Sequence, residues 1–447
     1  MKWMTLLLGL LLIGCPSVAN DDDVADDDDA ANDDDAVAND DDAADDDDAT
    51  APADRCAPLP APTGTVVPIE PSQVGQLQAL VSNAEPGTTF VLAAGTYALN
   101  GDYLWIDAPG VGLRGATGDP EDVVIDGGYV TTEIVTVAAS NVTIADLTIQ
   151  RAYTHPIHVT GGQAASITNT LLHNLRVIDP GQQAIKINTA QGGQTFADAG
   201  VVSCSWIELT DAGRTSIRDN CYTGGIDAHQ ARDWVVRDNT IAGFWCEQGL
   251  SEHGVHFWRG GRDTVVERNE LVNNARGIGF GLTENGDDRA YDDAPCPGAN
   301  GHVGHFGGVI RNNTMLADDP ELFASQFGMD GGVALAQSCG AQVLHNTVYA
   351  TQAPFASIEW RFPNTDARIA NNLVSHPMRE RSDAVAELVS NREDATAVEF
   401  VDAAGWDLHL AAGAAAIDAG TPDSAVFDDV DAEPRTDAAP DLGADER

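Results

Sequence analysis

Two short stretches concentrate side chains able to move a proton beside a charge: Gly225-Ile-Asp227-Ala-His229 and His253-Gly-Val-His256-Phe-Trp258-Arg259. A third, Ala184-Ile-Lys186-Ile-Asn188, carries the only lysine besides Lys2. Taking a proton from a carbon next to a carboxylate needs a cation on that carboxylate, a base titrating near neutrality and a proton donor. Arg259 supplies the cation, His229 the base, and Asp227 an orienting partner for the imidazole. Lys186 is an alternative base, since a desolvated lysine loses its proton more readily. Tyr222 is the nearest hydroxyl donor, and Trp258 offers a face on which a sugar ring can stack. His256, His158, Asn188 and Arg276 are further candidates for substrate contact. Each has a structural alternative: Asp227 and His229 can hydrogen-bond between neighbouring strands, and Trp258 can pack beneath Phe244, Trp245 and Cys246.

Carboxylate pairs offer a second chemistry. Asp227 with Glu252 or Glu359 would suit glycoside hydrolysis at a separation of about 5–10 Å, but Glu359 lies several repeats away. Metal binding is a third. Residues three apart on one strand point to opposite faces, so neither His253 with His256 nor His302 with His305 chelates one ion alone. A mixed set of Asp227, His229, His256 and Glu252 stays geometrically open. No resident metal is assigned; Ca2+ is an open cofactor, gathered weakly by the Asp-rich stretch 21–48, which lacks the Asp-x-Asp-x-Asp-Gly spacing of a loop that wraps one ion.

Such residues need a rigid scaffold. The pattern aliphatic–polar–polar–Asn–polar–aliphatic recurs at Asn239, Asn269, Asn313, Asn346 and Asn372, with weaker copies at Asp146, Asn174 and Ser205. Successive separations are 28, 31, 34, 30, 44, 33 and 26 residues. Short β-type segments at such a period predict stacked coils, with the Asn column a ladder that fixes one turn of each coil. Upstream of each turn runs a period-2 strand whose aliphatic residues face the core. The positions between them stack as His158, Lys186, Asp227, His256, Gly279, Ala334 and Glu359, beside Thr160, Asn188, His229, Trp258, Gly281 and Arg361. This column is expected to face solvent as a polar strip, with a gap at the small residues that would hold an extended chain. The strands are expected to start within Thr89 to Tyr97. Ser72 is expected to N-cap a helix to about Val81 over the first coil, and segments 407–410, 416–420 and 441–445 close the other end.

Across 85–447 these repeats resemble the pectin-lyase-like superfamily. The resemblance implies an all-β fold, a single-stranded right-handed parallel β-helix solenoid with an N-terminal helical cap. A narrower resemblance covers residues 225–259. Mannuronan C5-epimerases carry Asp-Pro-His-Asp on one coil and a His-Gly strand ending in Arg on the next. Asp227 and His229 match the first and third positions of that motif, and Arg259 falls at its arginine. Ala228 and Gln230 stand where the family has Pro and the second Asp. The resemblance implies lyase or epimerase chemistry at C5 of a uronate-containing polysaccharide.

The N-terminus addresses the chain. Met1-Lys2 and the apolar run from Leu6 to Ile13 describe a secretory signal over 1–14, too short to span a bilayer. Leu12-Ile13-Gly14-Cys15 resembles the bacterial lipobox and implies lipidation of Cys15. The expected location is the bacterial cell envelope, periplasmic or at the cell surface, with the membrane touched through the anchor alone. Residues 15–56 form an Asp-rich linker; within it, 21–48 hold 17 of the 70 acidic residues and no Lys or Arg. That block self-repels and reads as an extended tether. Removing its 17 carboxylates takes the formal charge from −47 to −30, so nucleic acid is not an expected partner. The six cysteines beyond Cys15 suit disulfides in an oxidising compartment, with their pairing open. Residues 57–447 are expected to form one β-helix domain, monomeric, with capping ends.

Residues 214–311 carry 10 of the 21 arginines. Arg237, Arg268 and Arg311 fall in the turn repeat, where they can pair with acids on adjacent coils. The 44-residue interval holds Thr283 to His305 with Cys296, a loop able to cap a substrate or to be a disulfide-pinned decoration. The leading reading is a polysaccharide-active enzyme, a uronate lyase or epimerase. The alternative is a non-catalytic carbohydrate-binding or adhesive surface protein; a structural envelope protein is a third class.

Overall fold

The computed structural model describes residues 55–436 and 438–447; the signal segment, Cys15 and the Asp-rich tract lie outside them. Nearly every element is a short strand paired in parallel with its counterparts one coil before and after. One sheet of 22 strands and one of ten carry the solenoid, a right-handed parallel β-helix. The smaller sheet positions the candidate site through β1 (His155–Thr160), β2 (Gln183–Asn188), β3 (Gly224–His229), β4 (Val255–Trp258), β5 (Arg276–Phe280), β6 (Gly331–Ala336) and β7 (Ala356–Arg361).

Alternation along these strands builds the core. Ile157, Ile185, Ile226, Val255, Ile278, Val333 and Ile358 stand in register as one inward file. Val159, Ile187, Ala228, Phe257, Phe280, Leu335 and Trp360 form a second. Both files are buried, and each large aliphatic side chain contributes about 1.5–3 kcal/mol. A one-residue slip would turn both files outward, so this hydrophobic pattern also fixes the register of the polar column between them.

The larger sheet bends where one residue per coil turns left-handed. Asp146, Asn174, Cys204, Asp238, Arg268, Asn312, His345 and Asn371 have φ between 50 and 62°, a conformation costing an L-residue about 1–2 kcal/mol. The next residue compensates. Asn269 Oδ1 accepts from the backbone N–H and Nδ2 of Asn239, and Asn313 does the same for Asn269. The ladder continues through Asn346 and Asn372 to Asn391, a rung the repeat pattern did not reveal. Ser205 belongs to it, donating its N–H to Asn239 and accepting from Leu175 N–H. Asp146 and Asn174 do not. They occupy the left-handed position one residue earlier, where Asn174 Nδ2 donates to Asp146 Oδ1 at 2.9 Å.

The first strand is Thr65–Ile69, paired with Thr88–Leu92, so the solenoid begins before the expected 89–97. Helix α1 (Val74–Ser82) buries Leu77 and Val81 on the first coil. Its N-cap is Gln73 and not Ser72, because Pro71–Gln73 first form a 3-10 turn. At the other end Phe400–Asp402 and Asp407–Leu410 pair antiparallel. Asp428 joins Arg268 and Arg311 at 2.8 Å each, which assigns those two arginines to structure. The disulfides are Cys56–Cys204, Cys221–Cys246 and Cys296–Cys339.

Candidate functional site

Pairing across the small sheet reproduces the expected column rung by rung: His158, Lys186, Asp227, His256, Gly279, Ala334, Glu359. His229 stands opposite Trp258 in the adjacent one. The expectation that the first column faces solvent is corrected, however. Lys186, Asp227, His256 and Glu359 are all buried, because segments between the strands fold back over them. Tyr222, next to the Cys221–Cys246 disulfide, covers Lys186. The segment before β4 lays the His253 imidazole over Gly279, where an added Cβ would stand 2.6 Å from its Nε2. The small-residue gap is thus a seat for a histidine ring and no groove for a chain.

At the centre is the Lys186 ammonium. It donates to Asp227 Oδ2 and to Tyr222 Oη at 3.3 Å, and its Nζ stands 3.0 Å from His229 Nε2, which also lies 3.3 Å from Asp227 Oδ2. The other Asp227 oxygen accepts from Trp258 Nε1 at 2.9 Å. Burial would lift the Asp227 carboxyl, but the Lys186 charge and the neighbouring imidazoles hold it well below the usual carboxylate range. Burial likewise opposes charge on Lys186, and Asp227 more than offsets this, so the ammonium titrates above its ordinary range. His229 moves the other way: burial and the Lys186 and Arg259 charges lower it despite Asp227, keeping it neutral. Tyr222 is raised by burial and by the Asp227 charge. Lys186 is therefore a fixed cation here, which leaves His229 as the group poised to accept a proton.

Arg259 is exposed, with its guanidinium 4.9 Å from the Trp258 ring, and it makes no ion pair among the described residues. Its backbone is left-handed, φ 59°, and its carbonyl accepts from Arg289 N–H at 3.1 Å. Arg289 sits in the long interval, which is pinned by Cys296–Cys339, by Arg289–Asp198 at 2.7 Å and by Arg262–Asp293 at 2.8 Å. That loop lies beside Arg259 as a buttress.

The remaining candidates are engaged elsewhere. His158 pairs with Glu133 at 2.9 Å, Asn188 Oδ1 accepts from Thr189 N–H, and Arg276 pairs with Asp330 at 2.8 Å. Glu359 binds Arg381 at 2.6 Å. A 490 Å3 cavity lined by Arg214, Trp245, Glu247 and Glu321 lies by the Cys221–Cys246 disulfide, but no member of the cluster lines it. The cluster reaches the surface at His229, Trp258 and Arg259.

His253 and His256 correct a further expectation. His253 precedes β4, so strand alternation does not separate the pair, and their ring centroids are 4.4 Å apart. Glu252 Oε2 lies 3.4 Å from His256 Nδ1 and 3.9 Å from His253 Nδ1. His302 and His305 do stay apart: the former pairs with Asp288, the latter stacks on Phe280. Ca2+ takes about 6–8 oxygen ligands, and a carboxylate between two imidazoles does not supply them.

No protein-family model and no curated protein matches the chain. Solved structures do. Pectate lyase Pel9A aligns with a TM-score of 0.57 at 16% identity, covering 86% of this chain and 97% of that one. An alginate lyase from Paenibacillus sp. str. FPU-7 gives 0.42 at 16% identity, covering 74% and 98%. A polygalacturonase from Erwinia carotovora ssp. carotovora gives 0.41 at 11%, covering 76% and 98%. At 16% identity the likeness to Pel9A shows the fold alone, the right-handed parallel β-helix.

Proposed function

We propose that this protein acts on uronate-containing polysaccharide by abstracting the C5 proton, as a lyase or epimerase, from a lipid-anchored position at the bacterial cell envelope. The observation that carries this reading is the convergence of Lys186, Asp227, His229 and Tyr222 beneath an unpaired Arg259. His229 directs Nε2–H to Asp227 and takes the proton on Nδ1, which has no partner among the described residues. Arg259 binds the substrate carboxylate, raising the acidity of C5–H, and Lys186 stabilises the charge that develops. Tyr222, whose proton is held firmly, returns a proton to the leaving oxygen or to the opposite face. Trp258 supports the sugar ring. The fold shared with the pectate lyase Pel9A supports this reading.

The test is incubation of the purified protein with alginate, pectate and glycosaminoglycans, following absorbance from new unsaturated chain ends and binding in parallel. Turnover that disappears in Arg259→Ala supports the reading. The half-buried Trp258 beside the exposed Arg259 also suits simple carbohydrate capture, and saturable binding with no turnover on any polymer would favour that alternative.

A further inference from the structure

Three buried polar atoms converge at one point without a hydrogen-bond partner: Glu252 Oε2, His253 Nδ1 and His256 Nδ1. Unpaired buried polar atoms are costly, so three aimed together need an account. His256 defines the problem most sharply. Its Nε2 faces the Gly281 carbonyl at 3.1 Å. A carbonyl only accepts, so Nε2 carries a hydrogen, and in the Nε2–H tautomer the Nδ1 lone pair turns inward. That lone pair meets Glu252 Oε2 at 3.4 Å and Asp227 Oδ1 at 3.5 Å. A lone pair against two carboxylate oxygens is repulsive unless a proton or a metal ion lies between them, and the Glu252 and His253 atoms converging on the same point favour the metal ion.

We propose that Glu252, His253 and His256 bind a divalent transition-metal ion of the Zn2+ type. Tetrahedral ligands at about 2.0–2.1 Å from such an ion stand about 3.3–3.4 Å apart. The 3.4 Å from Glu252 to His256 matches, and the 3.9 Å to His253 closes with a small ring shift; one ligand atom from each of the three lies within 4.8 Å of the others. Imidazole and carboxylate suit Zn2+ and its first-row neighbours in preference to Ca2+ or Mg2+. The surroundings are those of a built site. His256 is fixed by its Gly281 bond and by stacking on Trp258 at 5.3 Å, and Gly279 leaves room for the His253 ring. Such outer contacts set tautomer and orientation for a metal ligand. The fourth position stays open to water or an anionic oxygen, since Glu252 is partly exposed.

A second cluster, His409 with Asp431 and Asp445, is a contrast. Both His409 ring nitrogens contact carboxylates, Asp407 at 2.6 Å and Asp431 at 2.8 Å. That ring is an imidazolium clamp with no lone pair to give. The proposal at Glu252 stands apart from the polysaccharide reading, because its readout is metal affinity and not turnover.

The experiment strips the purified protein with chelator, then titrates it with Zn2+ by calorimetry and with Co2+ by visible absorption. One equivalent should bind, with the intense bands of four-coordinate Co2+, and Zn2+ should raise the thermal midpoint where Ca2+ does not. His253→Ala and His256→Ala should each weaken binding at least 100-fold. Glu252→Gln, which replaces a partly exposed side chain with one of its own shape, should weaken it at least tenfold with the fold intact. His409→Gln should bind as the parent. No binding by the parent, binding unchanged in Glu252→Gln, or binding lost in His409→Gln would overturn the proposal.

Discussion

The Asn column and the polar column run side by side up the same solenoid, and they solve the same problem in opposite ways. In the first, nearly every rung is one residue type, and each side chain satisfies its neighbour's backbone N–H and amide. In the second, successive rungs are His, Lys, Asp, His, Gly, Ala and Glu. Each differs from the next, and atoms of Glu252, His253 and His256 at its edge have no partner. A ladder that only holds coils together gains from repetition, since each rung meets the same geometry. A column that changes at each rung gains single ion pairs, Lys186 with Asp227 and Glu359 with Arg381, but no repeated rung. Its composition makes sense where different groups must meet at one place. The rigid coil spacing, about 4.8 Å between strands, then does for the polar column what it does for the ladder, setting side chains at fixed separations.

The sharpest way to break this contrast is to leave a buried charge alone. Lys186→Met strips Asp227 of its ammonium and should destabilise the fold by about 3–5 kcal/mol in chemical denaturation. The double variant Lys186→Met/Asp227→Leu should recover most of that loss while staying inactive. If the column were only structural, as the ladder is, the double variant would lose nothing. Asn313→Ala comes next. It leaves the N–H of Asn269 buried without an acceptor and interrupts two rungs, for an expected loss of about 3 kcal/mol. Its activity per folded molecule should be unchanged. Gly279→Ala should cost about 1–3 kcal/mol by overpacking against the His253 ring. Zn2+ affinity should fall with it, whereas glycine-to-alanine changes elsewhere in the solenoid should leave affinity alone.

The smallest effect concerns pH. His409 is held by Asp431 and Asp407, with Asp445 also facing it, and its pKa is raised to about 10. Against an unfolded value of about 6.5, its contribution is fully present below that pH and is lost as pH rises towards 10. The ring is partly exposed, so the slope is shallow; His409→Gln should flatten it in denaturation midpoints taken from pH 6 to 10. His229 is shifted in the opposite direction, so the acid limb of any turnover should lie below the ordinary imidazole range.

Much of this was legible in the sequence, for a physical reason. A period-2 strand in a stacked coil has one workable register, so the aliphatic files alone place Lys186 beside Asp227 and His229 beside Trp258. What could not be read comes from the segments between strands. Cover over Lys186 by Tyr222, the seat of His253 on Gly279 and the choice of disulfide partners depend on loops without periodicity. Gly279 was the available hint, a missing side chain in a column of large polar ones. Asp146 and Asn174 were set one position late because left-handed turns favour Asp and Asn as strongly as the ladder favours Asn. Asn391 escaped because its coil is short, 19 residues after Asn372.

If the polar column moves a proton, C5 hydrogen must exchange in deuterated water, a readout that holds for lyase and epimerase alike. Parent protein and His229→Ala would be compared on alginate and pectate, with folding of both checked by thermal denaturation. The parent should incorporate deuterium, and the variant should lose at least about 100-fold with its melting transition intact. Incorporation at the parental rate in His229→Ala would contradict that proton transfer.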